Sequence, residues 1–149
     1  DISPSRLKLE ITESAVMLDV PKQVALIQKL QAEGFIVEMD DFGSGYSSLN
    51  TLKDIPVDIL KLDMKFMAKS QNSRRSADIV QMMVAMADKL NMPIIAEGVE
   101  TKEQADFLGS VGCDIIQGYY YAKPMPVEEF RILLQQHSYR DIMNVTEKD

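Results

Sequence analysis

The chain has little of what builds disulfide frameworks or zinc sites. Among its 149 residues there is one cysteine, one histidine and no tryptophan. A single cysteine, Cys113, excludes an internal disulfide, and the lack of any Cys/His cluster excludes a structural zinc site of the usual spacing. A reducing, cytoplasmic compartment fits this composition best, and a parent protein tethered to a membrane through an upstream region stays open.

Long hydrophobic runs and an excess of basic residues are also missing. No apolar run approaches the roughly 20 residues that a membrane-spanning helix needs, and the first ten residues show no signal-peptide pattern. The 16 Lys and Arg against 23 Asp and Glu give a net charge of -7. This balance argues against a DNA or RNA duplex or an anionic membrane surface as the main partner. A small phosphate ligand remains compatible with it, because bound metal ions would supply positive charge locally.

What the sequence does contain is a regular alternation of short apolar runs and helical stretches. The apolar runs predict strands at 6–12, 35–40, 57–63, 94–98 and 113–122. The helical stretches, most of them with Pro, Gly or Thr at a boundary, are 20–34, 46–56, 76–91, 101–112 and 126–136. Such alternation favours a parallel sheet with helical crossovers, either an open doubly wound sheet or a barrel.

Polar residues near the ends of the predicted strands favour the barrel. Each strand contributes one of them: Glu10, Asp40, Lys61, Glu97 and Gln117. Residues from many strand ends meet at one mouth in a (β/α)₈ barrel, which needs roughly 250 residues when complete. The sequence therefore predicts an α/β fold, a partial TIM-like barrel of about five parallel strands. We expect residues 1–137 to form this partial domain, the later part of a longer one, and residues 138–149 to form a polar tail.

Two adjacent carboxylates, Asp40 and Asp41, stand directly before a Gly-Ser-Gly turn. Two ionised carboxylates in one site repel each other unless a cation or a shared proton relieves them. If the strands are neighbours, this pair meets Glu10 and Glu97 around Lys61. Oxygen ligands without His or Cys favour Mg²⁺ or Mn²⁺, and two such ions activate a water and stabilise charge on a phosphate. Lys61 would then hold that water or contact a phosphate oxygen.

The same residues have simpler interpretations. Asp40 and Asp41 would also serve to cap the turn that follows, Glu10 as an ordinary edge residue, and Glu100 as a favourable charge near the helix that begins after Thr101. The Asp-Phe-Gly sequence is not that of a protein kinase, because the accompanying kinase motifs are absent. The three tyrosines 119–121 alternate between faces in the predicted strand, so at least one is expected to be packed. From the residues alone, a turn and a metal site both stay open.

Five segments taken together resemble the EAL domain family, bacterial phosphodiesterases that act on the second messenger cyclic di-GMP. They are LKLEITES, DDFGSGYSSL, ILKLD, IIAEGVET and DIIQGYYYAKPMP, and the resemblance runs from about Leu7 to Phe130. It implies a TIM-like barrel, a two-metal site with Mg²⁺ or Mn²⁺, and hydrolysis of cyclic di-GMP to linear pGpG. It also implies a homodimer and a parent protein fused to GGDEF or sensor domains.

The resemblance further implies a role for each site residue. Glu10 corresponds to a ligand of the first metal, Asp40 to the carboxylate that bridges both metals, and Asp41 and Glu97 to ligands of the second. Lys61 matches the lysine that contacts the catalytic water. The remaining matches are Glu13, which anchors the loop after Asp41, and Glu100 and Gln117, which support the site and meet the substrate. Lys61, Glu97 and Glu100 are thus the implied catalytic residues.

One part of the family pattern does not occur in this sequence. The Glu-Ala-Leu motif and an Asn metal ligand, both carried by earlier strands, are missing. We therefore expect an active parent protein and an inactive isolated chain, with a non-catalytic cyclic di-GMP receptor or a dimerisation module as the alternatives. A partial barrel also leaves unpaired strand edges, so the isolated chain is expected to dimerise or aggregate.

Overall fold

Five parallel strands form one sheet in the order in which they occur along the chain. The computed structural model describes residues 2–43, 49–64, 73–113 and 115–136, and all structural statements refer to these. The strands are β1 (Lys8–Thr12), β2 (Ile36–Phe42), β3 (Ile59–Asp63), β4 (Ile94–Glu97) and β5 (Ile115–Gln117).

Helices connect successive strands, as a parallel sheet requires. After a 3₁₀ turn at Pro4–Arg6 they are α1 (Glu13–Leu18), α2 (Val20–Ala32), α3 (Leu49–Asp54), α4 (Ser73–Lys89), α5 (Lys102–Ser110) and α6 (Val127–Gln136). The predicted start of α5 after Thr101 is confirmed, and Thr101 is its N-cap: Thr101 Oγ1 accepts from the Gln104 N–H at 3.3 Å, and Gln104 Oε1 accepts from the Thr101 N–H at 3.1 Å. This reciprocal pair satisfies two amide groups that the first helical turn leaves free.

The two faces of the sheet differ in character. Residues on the outer face pack against the helices and form the core: Val37, Met39, Leu60, Leu62, Ile94 and Ala96. The inner face carries the polar strand residues, and the parallel register aligns Thr12 with Asp40 and Glu97 with Gln117. Because side chains alternate between faces, one set of residues builds the core while the other is presented inside the partial barrel.

The partial barrel is confirmed. Within the described residues β1 and β5 do not pair with each other, so the sheet is open. No helix in the described part of the chain is long and apolar enough to cross a membrane. The last helix, α6, ends at Gln136, as predicted. The predicted tail, residues 138–149, lies outside the described residues.

Several predicted boundaries need correction, among them the following, and helix α1 was not predicted. β5 ends at Gln117, and residues 119–121, predicted as strand, form a turn. β1 begins at Lys8, and α4 begins at Ser73, three residues earlier than predicted. The reason at β5 is steric: a Cβ on Gly118 would overlap the backbone of Val99, so the chain there packs against the segment after β4 instead of continuing the sheet.

Candidate active site

The ammonium group of Lys61 is the centre of the polar cluster on the inner face. Its Nζ lies 2.6 Å from Glu10 Oε1, 3.1 Å from Glu97 Oε2 and 3.4 Å from Asp40 Oδ1. The Lys61 side chain is only 6% exposed, and Glu10, at 52%, is the most exposed of its three partners. The convergence of Glu10, Asp40, Lys61 and Glu97, expected from the sequence, is therefore present.

Four adjacent strands supply these groups. Lys61 lies on β3 between β2, which carries Asp40, and β4, which carries Glu97. Glu10 is on β1 and reaches Lys61 across the intervening strand. The parallel register fixes these positions through backbone hydrogen bonds, so the cluster does not depend on the loops.

A β-bulge explains how two consecutive aspartates face the same cleft. Met39 pairs with Leu60 and Phe42 with Leu62, so Asp40 and Asp41 both stand opposite the single residue Lys61. Asp41 has a φ of 58°, in the left-handed region, and its N–H donates to Asp40 Oδ1 at 3.0 Å. The extra residue returns Phe42 to the buried outer face, where it is 4% exposed.

The carboxyl groups of the cluster change each other's pKa. Burial and a hydrogen bond shared with Asp40 raise the pKa of Glu97 to about 7, against the opposing influence of Lys61. Burial also favours the protonated form of Asp40, but the hydrogen bonds from Glu97 and the Asp41 N–H, together with Lys61, hold the pKa of Asp40 below its usual value. Without a further cation, burial and the neighbouring Asp40 carboxylate therefore favour a proton on Glu97 near neutral pH.

Lys61 itself stays charged. Burial alone would lower the pKa of Lys61, but the hydrogen bonds to Glu10 and Glu97 and the charge of Asp40 raise it well above its ordinary value. The ammonium is thus a fixed positive charge surrounded by acceptors. It is suited to hold an oxygen of a ligand or water rather than to act as a base.

Glu13 contacts the start of the loop that follows the bulge. It is buried, and its Oε2 accepts a hydrogen bond from the Gly43 N–H at 3.2 Å. Gly43 has a φ of 87°, and a Cβ at this position would lie 2.5 Å from Met83 Cε. The rest of the loop that Glu13 is expected to anchor, residues 44–48, lies outside the described residues.

Glu100 and Gln117 do not touch Lys61 but line the same cleft, which has a volume of about 380 Å³. The Glu100 N–H donates to Gln104 Oε1 at 2.8 Å, which links the segment after β4 to the first turn of α5. The cleft is lined by Asp40, Asp41, Asp63, Glu97, Gly98, Glu100, Gln117, Gly118 and Tyr119. Sequence reasoning missed Asp63 and Tyr119 as lining residues, although each follows a predicted site residue by two positions.

The composition of this cleft fits divalent cations. Around Lys61 carboxylates outnumber the ammonium three to one, and Asp41 adds a further carboxylate to the cleft. Hard oxygen donors with excess negative charge are the set that Mg²⁺, Mn²⁺ and Ca²⁺ bind. In the described residues these carboxylates are arranged around the Lys61 ammonium, and no three acidic, His or Cys side chains have the arrangement of a ready-made metal site.

Comparison with known proteins shows the family to which the chain belongs. The sequence matches the EAL domain family over residues 1–124. The cyclic di-GMP phosphodiesterase NbdA of Pseudomonas aeruginosa is 42% identical over 127 residues, which are 83% of this chain and 16% of NbdA. The bifunctional diguanylate cyclase/cyclic di-GMP phosphodiesterase MucR of the same organism is 42% identical over 128 residues, which are 86% of this chain and 19% of MucR. The chain therefore spans under a fifth of the length of these relatives.

Solved structures share the fold. A PaMucR phosphodiesterase in complex with c-di-GMP superposes with a TM-score of 0.80 at 42% identity, covering 87% of this chain and 52% of that chain. BlrP1 of Klebsiella pneumoniae, in a complex with manganese and cyclic di-GMP, gives a TM-score of 0.76 at 31% identity, covering 83% of this chain and 31% of that one. Both similarities extend over more than four fifths of this chain.

Proposed function

We propose that this chain, which belongs to the EAL domain family, is part of a metal-dependent phosphodiesterase that hydrolyses cyclic di-GMP to linear pGpG. The observation that carries the proposal is the position of Lys61, whose buried ammonium is held by Glu10, Asp40 and Glu97 at the strand ends. With divalent cations bound to the carboxylates, such an arrangement would bind and orient an anionic phosphodiester and a water molecule.

In this proposal Glu10, Asp40, Asp41 and Glu97 would hold Mg²⁺ or Mn²⁺. When bound, these ions would activate a water and stabilise the negative charge that develops on the phosphate. Manganese with cyclic di-GMP in the related BlrP1 complex supports this choice of metal class. A proton on Glu97 would be displaced when the carboxylates become ligands, because a ligand must be deprotonated.

The remaining residues position the reactants. Lys61 would donate a hydrogen bond to the attacking water, since its ammonium stays protonated among its carboxylate partners. Glu100 and Gln117 would meet the substrate from the wall of the cleft, with Glu100 supporting catalysis. Glu13 would hold the loop that begins at Gly43 through the hydrogen bond already described.

The proposal also includes the rest of the domain and of the parent protein. We infer that residues 1–137 act within a complete barrel whose earlier strands supply the Glu of Glu-Ala-Leu and the Asn, and that residues 138–149 are a tail. The parent is proposed to be a cytoplasmic signalling protein, homodimeric and fused to GGDEF or sensor domains. The bifunctional name of MucR supports the fusion to a cyclase domain.

The test compares this chain with a protein in which the coding sequence preceding Asp1 is restored. Both are incubated with cyclic di-GMP and Mg²⁺ or Mn²⁺, and pGpG is measured by chromatography. We expect the extended protein to form pGpG and the chain alone to form none. In the extended protein Glu97→Gln should reduce kcat about 100-fold or more, since it removes an anionic oxygen without changing the side chain's size. Glu129→Gln, on the exposed surface of α6, is the matched control and should retain full activity.

Two results would contradict parts of the proposal. An extended protein that binds cyclic di-GMP but never cleaves it would be a receptor, despite its intact acidic residues. An extended protein that neither binds nor cleaves would exclude the nucleotide as ligand. Retention of activity in Glu97→Gln would show that the cluster around Lys61 is not the reaction centre.

A further inference from the structure

We propose that Tyr119 is a base-stacking residue of the cleft, on which a guanine of the substrate lies. The inference rests on the proposed function and adds a residue to which the sequence analysis assigned no role. It starts from a difference among three consecutive tyrosines. Tyr120 and Tyr121 pack against the core and against each other, with ring centroids 5.0 Å apart. Tyr119 is 56% exposed and lines the cleft that contains Asp40 and Glu97.

The backbone on either side of Tyr119 is firmly held. Gly118 packs so closely on Val99 that no side chain fits there, and the Tyr120 N–H donates to Val99 O at 3.0 Å. The Val99 N–H in turn donates to Gln117 O at 3.2 Å. The segments after β4 and β5 are thereby joined, and Tyr119 projects from a fixed backbone rather than from a free loop.

The ring is also restrained from one side. Lys123 Nζ lies 5.6 Å from the centroid of the Tyr119 ring, a cation–π distance. One face of the ring is therefore near a cation, which leaves the opposite face for a planar ligand. Lys123 further places a positive charge beside Tyr119, which lines the acidic cleft, and this charge would favour an anionic nucleotide.

The cleft offers little other apolar surface to a base. Its other lining side chains, among the described residues, are carboxylates and the amide of Gln117, with two glycines. In the proposed function, carboxylates and metal ions would bind the phosphodiester and the water. A purine also presents two flat apolar faces, which these groups do not contact. A half-exposed tyrosine ring is the natural partner for such a face, and stacking of this kind is worth roughly a 5- to 150-fold change in affinity per base.

The experiment measures binding of GMP and cleavage of cyclic di-GMP by the extended protein and its variants. Tyr119→Phe keeps the ring and should bind as the wild type does. Tyr119→Ala should raise the Kd for GMP and the KM for cyclic di-GMP roughly 5- to 150-fold, with a smaller effect on kcat. Tyr119→Leu keeps apolar area without a flat ring and should fall between them. Phe130→Ala, which removes an exposed ring from α6 rather than from the cleft, is the matched control and should change neither constant.

Each outcome decides the matter. If the wild type binds and cleaves but Tyr119→Ala has the same Kd and KM, stacking on Tyr119 is wrong and the proposed function stands. Equal losses in the Phe and Ala variants would assign the effect to the hydroxyl group, which also overturns stacking. If the wild type binds neither GMP nor cyclic di-GMP, stacking and the proposed function fail together. An unchanged unfolding midpoint in Tyr119→Ala separates a binding effect from a folding defect.

Discussion

Single charged residues on the inner face are stabilised by partners on neighbouring strands. Lys61 is the clearest case, but a second buried charge lies one layer away from the cleft. Glu38 is 3% exposed, and its Oε1 lies 2.8 Å from Lys8 Nζ. No donor in the described residues makes a hydrogen bond of good geometry to this oxygen, so the ion pair with Lys8 is its compensation. A buried carboxylate without that partner would be costly.

We therefore predict that Lys8→Met destabilises the fold by about 1–3 kcal/mol, because it leaves the Glu38 carboxylate buried without a cation. We expect the lower part of that range, because the Lys8 side chain is 47% exposed and water weakens its ion pair with Glu38. Glu38→Gln in the Lys8→Met background should recover part of the loss, since the remaining amide carries no charge. Denaturant unfolding of the four proteins gives the coupling energy directly.

The control for this cycle is Lys102→Met. Lys102 pairs with Asp106 at 3.1 Å on the surface of α5, and its removal should leave the unfolding midpoint unchanged. If Lys8→Met were as harmless as Lys102→Met, the Lys8–Glu38 pair would be an incidental contact. A double variant less stable than the sum of the two single changes would lead to the same conclusion.

Most of the cluster around Lys61 could be predicted from the sequence. Its residues lie near strand ends, and the alternation of strands and helices along the sequence shows where the strands end. The bulge at Asp40 and Asp41 could not be predicted. The bulge is defined by the pairing of β2 with β3, and the sequence of β2 alone does not show where this strand carries an extra residue. The Lys8–Glu38 pair was missed for the same reason, because the two residues meet only through the register of β1 with β2.

At the scale of elements, the contact between the segments after β4 and β5 determines the shape of one wall of the cleft. The sequence predicted a strand through residues 119–121 because they continue the apolar run that begins at Cys113, and tyrosine is compatible with a strand. The close approach of Gly118 to Val99 overrides that preference, since the backbones meet where a sheet would need space for a side chain. The β-propensity is a property of a single segment, whereas the end of β5 depends on the contact between the segments after β4 and β5.

We predict that Gly118→Ala destabilises the protein by about 1–3 kcal/mol, because the added Cβ overlaps backbone atoms of Val99 that have no room to move away. The same change should weaken cyclic di-GMP binding in the extended protein, since it displaces the segment that carries Tyr119. Thermal or denaturant unfolding measures the first effect and the KM the second.

Gly109→Ala is the matched control for Gly118→Ala. Gly109 lies within α5, and a Cβ there would have no atom within 4 Å. Alanine is the better helix former, so this variant should gain about 0.5–1 kcal/mol and bind nucleotide normally. Similar stability of the two alanine variants would show that the contact between Gly118 and Val99 is looser than the structure has it.

For the whole molecule, the open sheet leaves apolar surface that a closed barrel would cover. Among the described residues Ile115 on the edge strand β5 is 45% exposed, and α6 exposes Val127, Phe130, Ile132 and Leu134 to 64%, 48%, 52% and 50%. Neither β1 nor β5 has a second neighbour within the described part of the sheet. Composition and strand count were enough to predict this partial barrel, because five strands cannot close the geometry that eight require.

We predict that the isolated chain self-associates, as a dimer or as larger aggregates, because unpaired edges and exposed apolar side chains favour contact with a second copy. Light scattering over a range of concentrations measures this, and the extended protein, with its barrel completed, should keep the mass of the proposed homodimer at every concentration. Ile115→Lys, which places a charge on the β5 edge, should reduce association if that edge is the contact, whereas Phe130→Lys should do so if α6 is. A chain that stays monomeric in dilute buffer would mean that its edges are protected in solution, and the argument from open edges would then be wrong.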